Sequence, residues 1–163
     1  IMSFVGAGFL GFAHTIPQVN KWTHGTLVTA MHGHLAFWGA YGMIVLAMIA
    51  YAMPKLTGRK RYSGWVPEWA FWTSNLGMLG MTGAFAVAGI SQVYLERKVG
   101  MDFLVVQKAL QVHFLGLVLA ASLFTIGIVL YIVNFIGYGL PRAELGDASE
   151  DADDDNLVPA AAG

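Results

Sequence analysis

The stretch MHGHLAFWGAYGMIVLAMIAYAMP, residues 31–54, holds no Asp, Glu, Lys or Arg, yet carries His32 and His34 one residue apart. An apolar run of this length is too long for a strand and matches the about 20 residues a helix needs to cross a bilayer's hydrocarbon core. Polar side chains are costly there, so an intramembrane histidine is a functional-site hypothesis by default. Successive residues on an α-helix advance by about 100°, which sets His32 and His34 about 200° apart. They cannot share one metal, but each can ligate a different metal on opposite flanks of one helix.

The whole chain agrees with a membrane reading. Its 163 residues are 56% hydrophobic and only 12% charged, with a mean hydropathy of +0.60. Soluble domains carry about 25% charged residues. The net charge of −1 conceals an acidic stretch, ELGDASEDADDD at 144–155, while the remainder is sparsely charged and slightly basic. No basic surface pointing to a nucleic-acid partner stands out. Cysteine is absent, so disulfides, zinc–thiolate sites, iron–sulfur clusters and covalent CxxCH haem attachment are excluded within this chain.

Three segments meet the spanning length: about 26–53, 68–95 and 105–138. Residues 1–13, apolar from the start and without the positive n-region of a signal peptide, read as the end of a fourth span in a chain that begins inside a helix. Small residues at Gly77, Gly80, Gly83, Ala84 and Ala88 suit close helix packing in lipid. The expected fold is therefore all-α, a polytopic transmembrane helix bundle over 1–140, followed by an acidic, disordered tail over 141–163. Lys55, Arg59, Lys60 and Arg61 place the loop after the first full span in the cytoplasm. The loops at 17–25 and 96–102 then face outward, and the C-terminus is cytoplasmic.

A haem suits each histidine of the pair, since one neutral imidazole binds iron axially while an apolar pocket covers the macrocycle. Gly33 removes a side chain where two bulky rings would approach. Phe37 is about 60° from His34 and about 140° from His32 around the helix, in the sector between the two ligand directions. His32 is about 9 Å into the span at 1.5 Å per residue, near the outer side.

The longer stretch THGTLVTAMHGHLAFWGAYGMIVLAMIAYAMPKL, residues 23–56, closely resembles the catalytic subunit of bacterial nitric oxide reductase, a branch of the haem–copper oxidase superfamily. Upstream GAGFLGFAHT (6–15) and downstream WAFWTSNLGMLGMTGAFAVAGISQVYLERKVGMDFLVVQ (69–107) are similar to it as well. The likeness covers about 1–140 and implies the last three of twelve helices plus the end of the ninth. It also implies that His32 is the proximal ligand of high-spin haem b3 and His34 an axial ligand of low-spin haem b, with Phe37 between the haems. The reaction implied is 2 NO + 2 e⁻ + 2 H⁺ → N₂O + H₂O at haem b3 and a non-haem iron, in a bacterial inner membrane. That iron's ligands, and the second ligand of haem b, are expected upstream of this chain, so the piece alone is not expected to be active. The LERKVGMDFLVVQ segment resembles the cytochrome c-dependent type, implying a cytochrome c-type small subunit as partner, more than the quinol-dependent one.

The other candidates read plainly. His14, His24 and His113 have no partner at metal-ligand spacing and are not assigned to iron. His24 reads as a loop cap, with a haem propionate contact as the alternative, and His113 as an interhelical hydrogen-bond partner. Met43, Met48, Met53, Met78 and Met81 read as packing rather than a copper site. Trp22, Trp65, Trp69 and Trp72 read as interfacial belts, and Glu68 and Glu96 as solvated helix ends rather than proton-path groups. Gln92 and Asn75 receive no role. Three other readings remain: an oxygen-reducing haem–copper oxidase, against which Gly33 argues because that class more often has Phe there; a non-catalytic di-haem electron-transfer protein; and a packing subunit without cofactor.

Overall fold

The computed structural model describes residues 1–57 and 65–136. Arg59, Lys60 and Arg61, and the acidic tail at 141–163, lie outside the described residues. Helices account for nearly all of what is described, and no strand occurs among the described residues. Three helical runs are long and apolar enough to cross a membrane, Leu27–Met53, Trp65–Val99 and Gln111–Ile136, with a shorter apolar run at Phe4–Thr15. The expected all-α membrane bundle is what forms.

In chain order, a π-helical turn at Phe4–Phe9 leads into α1 (Leu10–Thr15), followed by α2 (Pro17–Thr23) and α3 (Leu27–Phe37). A second π-helical turn, Trp38–Gly42, joins α3 to α4 (Met43–Thr57). Next come α5 (Trp65–Gln92), which runs on through a π-helical Val93–Val99, then α6 (Phe103–Ala109) and α7 (Gln111–Ile136). Boundaries differ from the sequence expectation in three places, each for a local reason. Residues 17–25 are mostly the short helix α2, started by Pro17 at its first position, where a missing N–H costs nothing. Residues 96–99 stay helical until Gly100, whose φ of 79° is left-handed and ends the run. The third span begins only at Gln111, preceded by a short helix that Asp102 caps, its carboxylate accepting the Leu104 N–H at 2.9 Å, and that ends at Leu110 (φ −87°, ψ 2°).

α5 is the central helix, packing against α7 on one side and α3 on the other. Glycines permit both crossings. A Cβ at Gly77 would overlap the Phe124 backbone, and one at Gly127 the Ser74 backbone, so α5 and α7 touch main chain to main chain. Gly89 does the same against Leu27 and Val28 of α3. Gly83 does not share this role, for nothing is within 4 Å of a Cβ there. Met78 and Met81 are buried with Leu35 and Trp38 in the shared core, and the Trp38 ring meets Phe124 of α7 edge-on at 4.9 Å. Trp65, Trp69 and Trp72 are exposed on the first turns of α5, as interfacial anchors require. Apolar side chains such as Val112, Leu115, Leu119 and Ile126 are exposed along α7, a surface suited to lipid tails or neighbouring helices.

Candidate functional site

The start of α3 fixes where the paired histidines fall. Thr26 caps the helix, its hydroxyl donating to the Thr23 carbonyl at 2.7 Å and accepting from Val28 N–H at 3.3 Å. Gln92 of α5, buried, adds a second cap: its side-chain oxygen accepts the Leu27 N–H at 2.9 Å, while its amide donates to Glu96 at 2.9 Å. The start of α3 is thus tied to the side of the continuous α5 run. Gln92, given no role from sequence, sets the start of the helix that carries His32 and His34. Its partner is 65 residues away in the chain, so no local signal could have revealed it.

The two histidines face different neighbours, as their angular separation requires. His32 turns toward the N-terminal segment, where its Nδ1 lies 2.7 Å from the Gly6 carbonyl oxygen. That contact depends on close backbone approach: a Cβ at Gly6 would sit within 2.9 Å of the Leu35 and Ala36 backbone, and Gly39 is equally tight against Met2 and Ser3. His34 turns the other way, its Nδ1 2.8 Å from the Ala30 carbonyl one turn back and its ring 4.9 Å from that of Phe85 on α5. A carbonyl can only accept, so in both rings Nδ1 is the donor, which leaves Nε2 as the nitrogen with the lone pair in the neutral ring. Both histidines are therefore in the tautomer that a metal-binding imidazole needs, with the second nitrogen pinned. The donor set fits two axial haem ligands on opposite flanks.

Phe37 is 72% exposed on this chain and packs only loosely against Tyr41, ring centroids 6.0 Å apart. Gly33 is uncrowded, with nothing within 4 Å of a Cβ. The two rings diverge, so crowding between them does not explain the glycine within this chain. Among the described residues no three His, Cys, Asp or Glu side chains gather to hold a metal ion.

The remaining histidines separate. His14 bonds through Nδ1 to the Leu10 carbonyl at 2.7 Å and stacks on His32. His24 ends α2 as its C-cap and accepts, at its carbonyl, a long 3.4 Å contact from Arg97. It lines an open groove with Pro17, Asn20, Lys21 and Arg97. His113 was expected to bond across helices, but its Nδ1 is buried with no partner among the described residues.

Comparison with known proteins agrees with this architecture. A model of the family "Cytochrome C and Quinol oxidase polypeptide I" matches residues 1–123, which include both histidines and every residue around them. A nitric oxide reductase subunit of Stutzerimonas stutzeri is 40% identical over 147 residues, covering 83% of this chain and 30% of that protein. A cytochrome c oxidase subunit 1 homolog of Agrobacterium tumefaciens (strain T37) is 38% identical over 99 residues, 60% of this chain and 18% of that protein. Cytochrome c oxidase subunit 1 of Rhodobacter capsulatus is 33% identical over 105 residues, 60% of this chain and 20% of that protein. The chain thus spans no more than 30% of the length of these relatives. With its apolar helices and its match over most of its length, the chain belongs to the cytochrome c and quinol oxidase polypeptide I family, the subunit I family of the haem–copper oxidases.

Proposed function

We propose that this chain is part of the catalytic subunit of a nitric oxide reductase, a multi-pass bacterial inner-membrane enzyme that reduces 2 NO to N₂O and water. His32 would hold the iron of haem b3 and His34 that of haem b. The observation that carries this reading is the pair of Nδ1–carbonyl contacts, 2.7 Å to Gly6 and 2.8 Å to Ala30, which engage Nδ1 in both rings and leave Nε2 of each as the nitrogen for a metal. When bound, haem b3 and a non-haem iron held by residues outside this chain supply the centre where NO is reduced, and haem b supplies the electrons.

The chain's own residues have distinct tasks. Gly6 holds the proton of His32 at Nδ1 and so keeps Nε2 basic; Ala30 does the same for His34. Phe37, between the two ligand directions, excludes water from the space between the haems. Lys21 and Arg97, grouped around the groove beyond α2, give the outer side a cationic character suited to an electron-donating cytochrome c-type small subunit. In this reading residues 1–140 form the haem-binding part, and the acidic 141–163 tail is cytoplasmic.

The choice of NO follows the match to the nitric oxide reductase of Stutzerimonas stutzeri, which covers more of this chain than either oxidase match. Oxygen reduction is the second reading, favoured by those two cytochrome c oxidase relatives. Uptake of NO and of O₂ by membranes holding the intact protein and its partners separates them. Anaerobic NO loss with N₂O release, abolished in His32→Ala, is the expected result. Well-assembled, haem-loaded membranes that consume O₂ and leave NO untouched would overturn it.

A further inference from the structure

His14 sits outside the ligand pair and has a place there that capping or packing does not explain. Its ring stacks on that of His32, centroids 5.1 Å apart and planes within 20°. The His14 ring is itself fixed, its Nδ1–H donating to the Leu10 carbonyl at 2.7 Å. Its Nε2 is buried and has no hydrogen-bond partner among the described residues. Hydrogen bonding at both nitrogens is therefore not what the chain obtains from this histidine, although a buried polar atom is costly to leave unsatisfied. What it does obtain is a flat, rigid face against the other imidazole.

That face completes a slot. The Gly6 carbonyl fixes one edge of the His32 ring through Nδ1, but a single in-plane bond leaves the ring free to tilt about the line from Cβ to Nδ1. Gly11 borders the neighbouring Cε1 corner of the ring, its Cβ position in ordinary contact at 3.4 Å from Cε1 and 4.0 Å from Nε2 of His32. The stacked His14 ring removes the remaining freedom by fixing the ring plane. Gly6, Gly11 and His14 all come from one short segment, Phe4–Thr15, packed across α3.

We infer that His14 is a positioning residue, whose ring face sets the plane of the His32 imidazole and thereby the iron–Nε2 bond. The inference rests on the haem reading of His32. Orientation matters because misplacement of a reacting group by about 1 Å can cost about 10²-fold in rate.

The test uses two apolar variants, His14→Leu and His14→Phe, in the intact protein expressed with its partner subunits. Resonance Raman of the reduced high-spin haem reads the iron–imidazole stretch, and NO consumption gives kcat and KM. His14→Leu, lacking a flat face, should shift or broaden the stretch and lower kcat about tenfold at nearly unchanged KM. His14→Phe should restore the wild-type band and bring kcat back to within about twofold. A wild-type band in His14→Leu, or a band in His14→Phe as displaced as in His14→Leu, overturns the inference. A wild-type protein with no iron–imidazole band that depends on His32 overturns the haem reading itself, a different failure seen before either His14 variant is measured.

Discussion

The two flanks of α3 are built on different principles. On one, His32 is held by a separate N-terminal segment, through the carbonyl of Gly6, 26 residues away in sequence, and the stacked His14 ring. On the other, His34 is held by its own helix through Ala30, with only the Phe85 ring of α5 beside it. One orientation depends on tertiary packing, the other mostly on helix geometry. The difference in construction parallels the difference in proposed role.

The largest effects come from deleting each ligand. His32→Ala should abolish the high-spin haem signal and NO turnover, with the low-spin spectrum retained. His34→Ala should do the reverse spectrally, losing the low-spin haem first. Optical and EPR spectra of purified protein check both. If either variant lost both haems equally, or neither, the flanks would not be independent and the assignment of one haem to each would fall.

Gly6→Ala sharpens the contrast without touching a ligand. The new methyl would meet the Leu35 and Ala36 backbone at 2.9 Å, where main chain rather than a flexible side chain must give way. Overpacking of this kind costs about 1–3 kcal/mol. The segment should lift off α3, lengthen the Gly6–His32 contact and weaken haem b3 retention by about 10–100-fold, the usual range for losing a ligand's supporting partner. The low-spin haem should be much less affected, since the contacts of His34 itself, to Ala30 and Phe85, do not involve Gly6. Haem content after mild detergent challenge measures the outcome, and equal loss of both haems would argue against a flank-specific effect.

These two flanks were unequally legible in the sequence. The helix and the divergence of the pair follow from the apolar run at 31–54 and the 100° step alone, because both are properties of one helix. The His34 contact with Ala30 is likewise local, spanning four residues. The His32 surroundings were not legible, since Gly6, Gly11 and His14 reach it only after a separate segment folds back. His14 in particular looked like a helix-end histidine with no partner at ligand spacing, which is true in sequence and irrelevant in space. The break at Leu110 was equally silent, with no Pro or Gly to mark it, whereas Asp102 before an apolar run is a readable N-cap.

Gln92→Ala acts beneath both flanks. It removes the acceptor for Leu27 N–H at a site where Gln92 is buried, leaving a donor unsatisfied at a cost of about 1–3 kcal/mol. Because it frees the start of α3 and not one face of it, thermal loss of the two haem absorbances should shift downward together. A shift confined to one haem would mean that the helix does not move as a unit.

Phe85→Leu should give the smallest change and is the sharpest probe of the His34 flank. Phe85 is buried, and its ring lies 4.9 Å from His34 at a 36° tilt. Leucine keeps most of the volume, so the packing cost stays below about 1.5 kcal/mol, while the aromatic contact, about 0.5–1.5 kcal/mol, is lost. If Ala30 alone orients His34, the low-spin spectrum should broaden only slightly and the high-spin haem remain unchanged. If the low-spin haem were instead released, His34 would depend on a distant scaffold as His32 does. The distinction between a ligand held by its own helix and one held by another segment would then be lost.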